Sequence, residues 1–365
     1  KIDKTIPTGS IIINNNATYA TATSVTLTLT STDATSGVYQ VRFSNDGVWD
    51  TEPWENPSPT KTWTLTLGDG TKTVYYQIKD NAGLISITYL DTIILDTAPP
   101  TGSITINNGA TYTTTTTVAL TLSATDATSG IAEMRFSNDN ITYTEWQTYT
   151  TFKSWTLQNR DGTKTVYVQF KDQAGLISTY SDTIVLDTTP PTGSVTIAEG
   201  ATYTNSTSVT LTLSAEDAAS GVAQTRFSND NITWTPWEPY STSKTWTLTT
   251  GDGAKIVYVQ FKNNAGLTSQ SYFNAITVDT TAPAIVITSP SPGYEIRSST
   301  VTVTWTGSDE TPGISRYEIR LDGGSWTNVG TDTTHIFSGL GDGSHRIDIK
   351  AIDKAGNTKQ DTVNF

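Results

Sequence analysis

No cysteine occurs anywhere in this sequence, which excludes a disulfide framework and any thiolate chemistry. Positive charge is scarce: 22 Lys and Arg stand against 35 Asp and Glu, a net charge of −13. A nucleic-acid surface needs clustered Lys and Arg, so DNA and RNA are excluded as partners. No apolar run approaches the ~20 residues of a membrane helix, and no lipid-facing barrel pattern appears, so this segment inserts into no membrane. Nowhere do apolar residues recur at helical spacing over ten residues. Histidine is almost missing as well. His335 and His345 lie outside any His-Glu-x-x-His spacing, and no Gly-x-Ser-x-Gly elbow or phosphate loop is present. The carboxylates sit in turns that repeat along the chain, whereas an active site is single and asymmetric, so no enzyme is expected. No signal-peptide pattern is seen either, and the chain opens inside a worn copy of its own repeat, which reads as a piece of a longer precursor.

What is present is periodic. Asp187-Thr188-Thr189-Pro190-Pro191-Thr192-Gly193-Ser194 has near-copies at Asp96-Thr97-Ala98-Pro99-Pro100-Thr101-Gly102-Ser103 and Asp279-Thr280-Thr281-Ala282-Pro283. A worn copy, Asp3-Lys4-Thr5-Ile6-Pro7-Thr8-Gly9-Ser10, opens the chain. Their leading aspartates are 93, 91 and 92 residues apart, a fixed period that sets four domains: 1–95, 96–186, 187–278 and 279–365. Proline holds φ near −65° and biases the preceding residue towards extended geometry, so each seam reads as a short, stiff connector rather than a loose Gly/Ser linker.

Within each domain the apolar residues alternate, the period-2 signature of half-buried strands. In the first they are Ile11/Ile13, Val25/Leu27/Leu29, Val41/Phe43, Trp63/Leu65, Val74/Tyr76/Ile78 and Ile93/Leu95, with Trp155 and Trp246 matching Trp63 as core residues further on. The fourth domain has drifted most but keeps Ile285/Ile287, Val301/Val303/Trp305, Tyr317/Ile319, Ile336 and Ile347/Ile349 in matching places. The intervening residues are Thr, Ser, Lys and Gln, so one face of each strand meets water while the other packs, as a two-sheet sandwich requires. The fold class is all-β: four tandem immunoglobulin-like sandwiches, arranged as an extended rod of roughly 150 Å if strands of ~8–10 residues rise ~3.3 Å each.

The Asp-Thr-Thr-Pro-Pro seam, Asp126-Ala127-Thr128-Ser129-Gly130, Lys171-Asp172-Gln173-Ala174-Gly175 and Ala351-Ile352-Asp353-Lys354-Ala355-Gly356-Asn357 together carry a resemblance over nearly the whole chain. They resemble tandem Ig-like repeats of bacterial and archaeal cell-surface proteins of the surface-layer, adhesin or filament type. The resemblance implies an extracellular, non-enzymatic array that spaces, displays or self-assembles at the cell surface. Its partners would be copies of itself or other cell-surface proteins. An adhesin or accessory module that binds glycans is the alternative, and a spacer within a secreted hydrolase a third.

Three constellations are candidates for function. In an Ig-like topology the entering seam, the loop after the second strand and the loop before the last strand share one pole. That groups Asp3, Asp33 and Asp80; Asp96, Asp126 and Asp172; and Asp279, Asp309 and Asp353. The third domain offers Asp187, Glu216 and Asp217 but has Asn263 where the others have aspartate. Converging carboxylates repel unless a hard cation sits among them, and Ca²⁺ accepts six to eight such oxygens. The competing reading is that each aspartate bonds its own turn and needs no metal. Second, Trp49, Tyr143, Trp234 and Trp326 occupy equivalent places after the third strand, where flat rings could stack on sugars or simply cover a sheet. Third, Asn16, Asn140, Asn205 and Asn231 match the N-glycosylation acceptor pattern on a Thr-rich surface and favour the cell exterior.

Overall fold

The structure is a computed structural model that describes residues 2–365. The chain divides into two compact units, Lys1–Asp187 and Thr188–Phe365, the division falling within the central seam. Each unit contains two sandwiches, and four separate apolar cores form, one per repeat.

In the first module the strands are β1 (Thr8–Ile13), β2 (Tyr19–Ala20), β3 (Ser24–Thr32), β4 (Val38–Ser44), β5 (Thr60–Thr64), β6 (Gly70–Asp80) and β7 (Tyr89–Leu95). One sheet has the order β1-β3-β5 and the other β2-β7-β6-β4, with all pairs antiparallel except β2 with β7. The facing residues are those that alternation marks: Leu27, Val74, Ile78 and Leu95 are fully buried. The second and third modules add a two-residue strand beside the counterpart of β4, at Gln147–Thr148 and Glu238–Pro239. The fourth pairs Ala284–Ser289, Thr300–Ser308 and Thr334–Ser338 in one sheet and places Thr327–Gly330, Ile314–Leu321, Arg346–Asp353 and Thr358–Asn364 in the other.

Four residues at two kinds of position sit differently from the alternation reading. Trp63, Trp155 and Trp246 are half-buried and pack against their cores from the edge rather than filling them. Each indole N–H donates to an asparagine Oδ1, of Asn45, Asn138 and Asn229, at 2.8 Å. That bond explains the run Arg-Phe-Ser-Asn-Asp found at 42–46, 135–139 and 226–230: phenylalanine enters the core, and asparagine satisfies the neighbouring tryptophan. In the fourth module Ile336 is 60% exposed, and Phe337 packs instead. Phe337 pairs with Val301 as Trp63 pairs with Val25. A phenylalanine needs no acceptor, so the asparagine run is absent from the same module.

The Thr-Gly-Ser of the first three seams has a packing reason. A Cβ on Gly102 would lie 2.5 Å from the Ser123 carbonyl oxygen and 2.8 Å from the Phe170 ring. On Gly193 it would lie 2.5 Å from the Ser214 oxygen and 2.6 Å from Phe261. Strand and core ring close onto bare backbone here. Gly102→Ala should therefore cost about 1–3 kcal/mol by overpacking, read as a lower denaturant midpoint; an unchanged midpoint would show that the ring has room to retreat.

Candidate metal centres

The acidic poles are built from turn chemistry. In the loop after β3, Asp33 Oδ1 accepts from the amides of Thr35, Ser36 and Gly37 at 3.1, 2.7 and 2.8 Å. Asp126 Oδ1 repeats this with Thr128, Ser129 and Gly130 at 3.1, 2.8 and 3.0 Å. Gly37 and Gly130 hold φ of 78° and 75°, a left-handed conformation that lets three consecutive amides converge. At the end of β6, Asp80 Oδ1 accepts from the Leu84 amide at 2.8 Å, and Asp172 does so from Leu176 at 2.8 Å. Asp353 Oδ1 takes Gly356 and Asn357 at 2.7 and 2.9 Å. The self-capping turn is therefore present, and it uses one oxygen of each carboxylate.

The second oxygen is another matter. Asp3, Asp80, Asp96, Asp172 and Asp353 each keep a buried Oδ2 without a hydrogen-bond partner. Asp80 and Asp96 are fully buried, and Asp172 and Asp353 nearly so. A buried carboxylate oxygen left unpaired is costly, because its lost hydration is not replaced. Within each of the sets Asp3/Asp33/Asp80, Asp96/Asp126/Asp172 and Asp279/Asp309/Asp353, one oxygen per residue lies within 4.8 Å of the other two. Oxygens coordinating one Ca²⁺ at about 2.3–2.6 Å are at most about 4.6–5.2 Å apart. The residues present thus fit a hard divalent cation.

The seams thread these poles into the preceding module. The Asp96 amide donates to the Ala20 carbonyl at 2.9 Å, closing the first module, while its carboxylate belongs to the second module's acidic set. Asp279 does the same: its amide bonds the Thr204 carbonyl at 2.9 Å, and its side chain joins Asp309 and Asp353. Asn357 Nδ2 also donates to the Asp279 carbonyl at 2.8 Å.

The third set is divided differently. Glu216 is exposed at the end of its strand, opposite Thr192. Asp187 is buried, with its amide on the Thr113 carbonyl at 2.9 Å. Asp217 repeats the capped turn through Ser220 and Gly221, at 2.9 and 3.0 Å, and its Oδ2 accepts from Asn263 Nδ2.

Electrostatics follow the same division. Burial, then the neighbouring charges of Asp96 and Asp126, pushes the Asp172 carboxyl above its ordinary range. Burial, then Asp353 and Asp309, does the same to Asp279. The Ser36 amide holds Asp33 low; at Asp126 burial opposes, but the amides of Ser129, Gly130 and Thr128 together win. A carboxyl raised on folding contributes stability below its unfolded pKa and loses it as pH rises through the folded value. In chelator, Asp172→Asn should therefore stabilise the chain at neutral pH, and the advantage should fade as pH falls towards 3.8, the ordinary value. With calcium the same substitution should destabilise. Thermal melts of the two proteins with and without calcium check this, and the same sign in both conditions would contradict it.

The aromatic candidates stack on cations. The Arg42 guanidinium lies 4.5 Å from the ring centroids of both Trp49 and Trp54, and Lys79 sits 4.4 Å from Trp54. Arg135 contacts Tyr143 and Trp146 at 4.8 and 4.4 Å, and Arg226 contacts Trp234 and Trp237 at 4.9 and 4.6 Å. Trp326 has Arg320 and Lys350 at 4.4 and 4.5 Å. Each pairing contributes about 0.5–2 kcal/mol, so these rings already serve the fold. The sequon residues Asn16, Asn140, Asn205 and Asn231 are all exposed. His345 bonds Asp322 Oδ2 and the Gly341 carbonyl at 2.8 and 2.9 Å, beside a cleft of about 630 Å³ at the opposite pole of the fourth module.

Two devices escaped the sequence reading. Asp91, Asp182 and Asp361 reach across the sandwich and accept the amides of Ile13, Ile106 and Ile287 at 2.7 Å, covering the edge of the first strand. Asp69 Oδ1 accepts the Thr97 amide and hydroxyl at 3.1 and 2.8 Å, and Asp252 holds Thr280 at 3.0 and 2.8 Å. Asp91 and Asp182 each stand 5 residues before a seam aspartate (96−91, 187−182), and Asp69 and Asp252 each 27 before one (96−69, 279−252), which was the available signal.

Residues 283–349 match the bacterial Ig domain family. No curated protein matches the chain. Among solved structures, it is similar to fibronectin(III)-like modules of Clostridium thermocellum CbhA, with 19% identity and a TM-score of 0.35 over 47% of this chain and 92% of that one. A tetra-tandem repeat from the extending region of a large adhesion protein aligns at 16% identity and a TM-score of 0.30, covering 98% of both chains. A 1.5-MDa bacterial ice-binding adhesin aligns at 17% identity and a TM-score of 0.37, over 76% of this chain and 98% of that one.

Proposed function

We propose that this chain of tandem Ig-like sandwiches is a non-enzymatic extracellular spacer, a stalk, filament or surface-layer segment, whose first and second modules, and third and fourth, are fastened in pairs by bound calcium. The observation that carries this reading is the double membership of Asp96 and Asp279: backbone in one module, carboxylate in the acidic pole of the next. Asp3, Asp33 and Asp80 would hold one ion; Asp96, Asp126 and Asp172 a second; Asp279, Asp309 and Asp353 a third. The ion supplies the positive charge that these oxygens lack, and loop carbonyls and water would complete its shell. Ordering the seam through the ion removes bending freedom from the linker, which is what a spacer requires. The regular seam period, the bacterial Ig match and the exposed sequons support a place outside the cell, among copies of itself or other surface proteins. A sugar-stacking role for Trp49, Tyr143, Trp234 and Trp326 would have to compete with the guanidinium groups already on those rings.

Electron microscopy of the purified chain tests the reading. In calcium the two modules of each unit should hold one fixed angle to each other; in chelator that angle should vary from particle to particle, with bending at the seams that start at Asp96 and Asp279. Particles that bend equally in both buffers, or that collapse around a common cleft, would overturn it.

A further inference from the structure

The third module departs from its siblings at one atom. Asn263 ends the strand Gly253–Asn263, where Asp80, Asp172 and Asp353 end theirs. Its Oδ1 accepts the Leu267 amide at 2.8 Å, as Asp80 and Asp172 accept Leu84 and Leu176. The turn is thus unchanged. At the other terminal atom the siblings carry a buried oxygen with no partner. Asn263 carries an NH₂ there, which donates to Asp217 Oδ2 at 3.1 Å and to the Thr189 carbonyl at 3.3 Å.

These two acceptors are a loop carboxylate and a seam carbonyl, the kind of oxygen a hard cation gathers. We propose that the Asn263 amide is a built-in substitute for the cation: the third pole closes on its own N–H donors and needs no metal, so the chain binds calcium at the first, second and fourth modules and not at the third. This rests on the cation reading above and adds its distribution along the chain. Like-charge repulsion is relieved locally, because one carboxylate has become a neutral donor. Burial presses the Asp217 carboxyl upward, yet the Asn263 bond and the turn amides together hold it low, opposite to Asp172. Calcium depletion would then loosen the first, second and fourth poles and leave the Asp217 turn closed, a graded response along one chain.

Calcium titration of the metal-stripped full chain, wild type beside Asn263→Asp, tests this by stoichiometry. Three ions in wild type and four in the variant are expected. No binding in wild type would overturn the cation reading itself. Four ions in wild type, or three in the variant, would overturn the substitution by Asn263 while leaving that reading standing. Hydrogen exchange on wild type alone gives a second readout that does not depend on the variant's folding. At calcium 100 times its dissociation constant, chelation should speed exchange about 100-fold at residues 33–37, 126–130 and 309–313. Residues 217–221 should not change, and an equal rise there would overturn the proposal.

Discussion

Stripping divalent cations should lower the melting temperature of the calcium-binding modules by about 10–20 °C. A ligand that binds only the folded state at 100 times its dissociation constant adds about 2.7 kcal/mol per site. For a domain of this size, 1 kcal/mol corresponds to about 4–8 °C. The effect is large because the metal-free poles are internally opposed: Asp80, Asp96, Asp172 and Asp353 are buried with an oxygen unpaired. Calorimetry in calcium and in chelator should show transitions that separate as metal is removed, with part of the heat unmoved. Sodium chloride at matched ionic strength should not restore the lost stability, because screening acts weakly on buried charge. Superimposed melts would remove calcium from the account.

The second large effect lies in the core beneath a seam. Phe170 is fully buried, with Tyr149 edge-on at 5.9 Å and Tyr180 tilted at 5.9 Å. Its ring also fills the space under Gly102. Phe170→Ala should cost about 3–5 kcal/mol through lost transfer energy and the cavity left behind. That is a large share of the roughly 5–15 kcal/mol that holds a domain folded. The residue is two positions from Asp172 on the same strand, so the second module's calcium affinity should fall with its stability. Urea unfolding and a calcium titration of the variant measure both. A loss below about 1 kcal/mol would mean that the cavity collapses freely and that seam and core are not packed as one body.

The fold was legible because its signals are local and repeated. Alternation at Val25/Leu27/Leu29 or Val74/Tyr76/Ile78 names the buried face without knowledge of partners, and those residues form the core. The acidic poles were legible because Ig-like topology fixes which loops share an end, and the three sets converge. The two readings of these aspartates do not exclude each other: at Asp80 and Asp172 one oxygen caps the turn while the other stays unpaired. Trp63 was misjudged because alternation registers a face but not distance from the sheet edge, where its indole finds Asn45. Ile336 was misplaced for a related reason: in a drifted edge strand either neighbour could take the inward position, and pairing with Val301 gives it to Phe337. The bonds of Asp91 to Ile13 and Asp69 to Thr97 join residues far apart in sequence, so only the folded geometry pairs them.

Diffraction from crystals of the full chain grown in calcium tests the central claim most directly. The account predicts a strong peak about 2.3–2.6 Å from Oδ2 of Asp80, of Asp172 and of Asp353, with no such peak beside Asn263. Water or bare density at all three poles, with the carboxylates turned away to other partners, would contradict it.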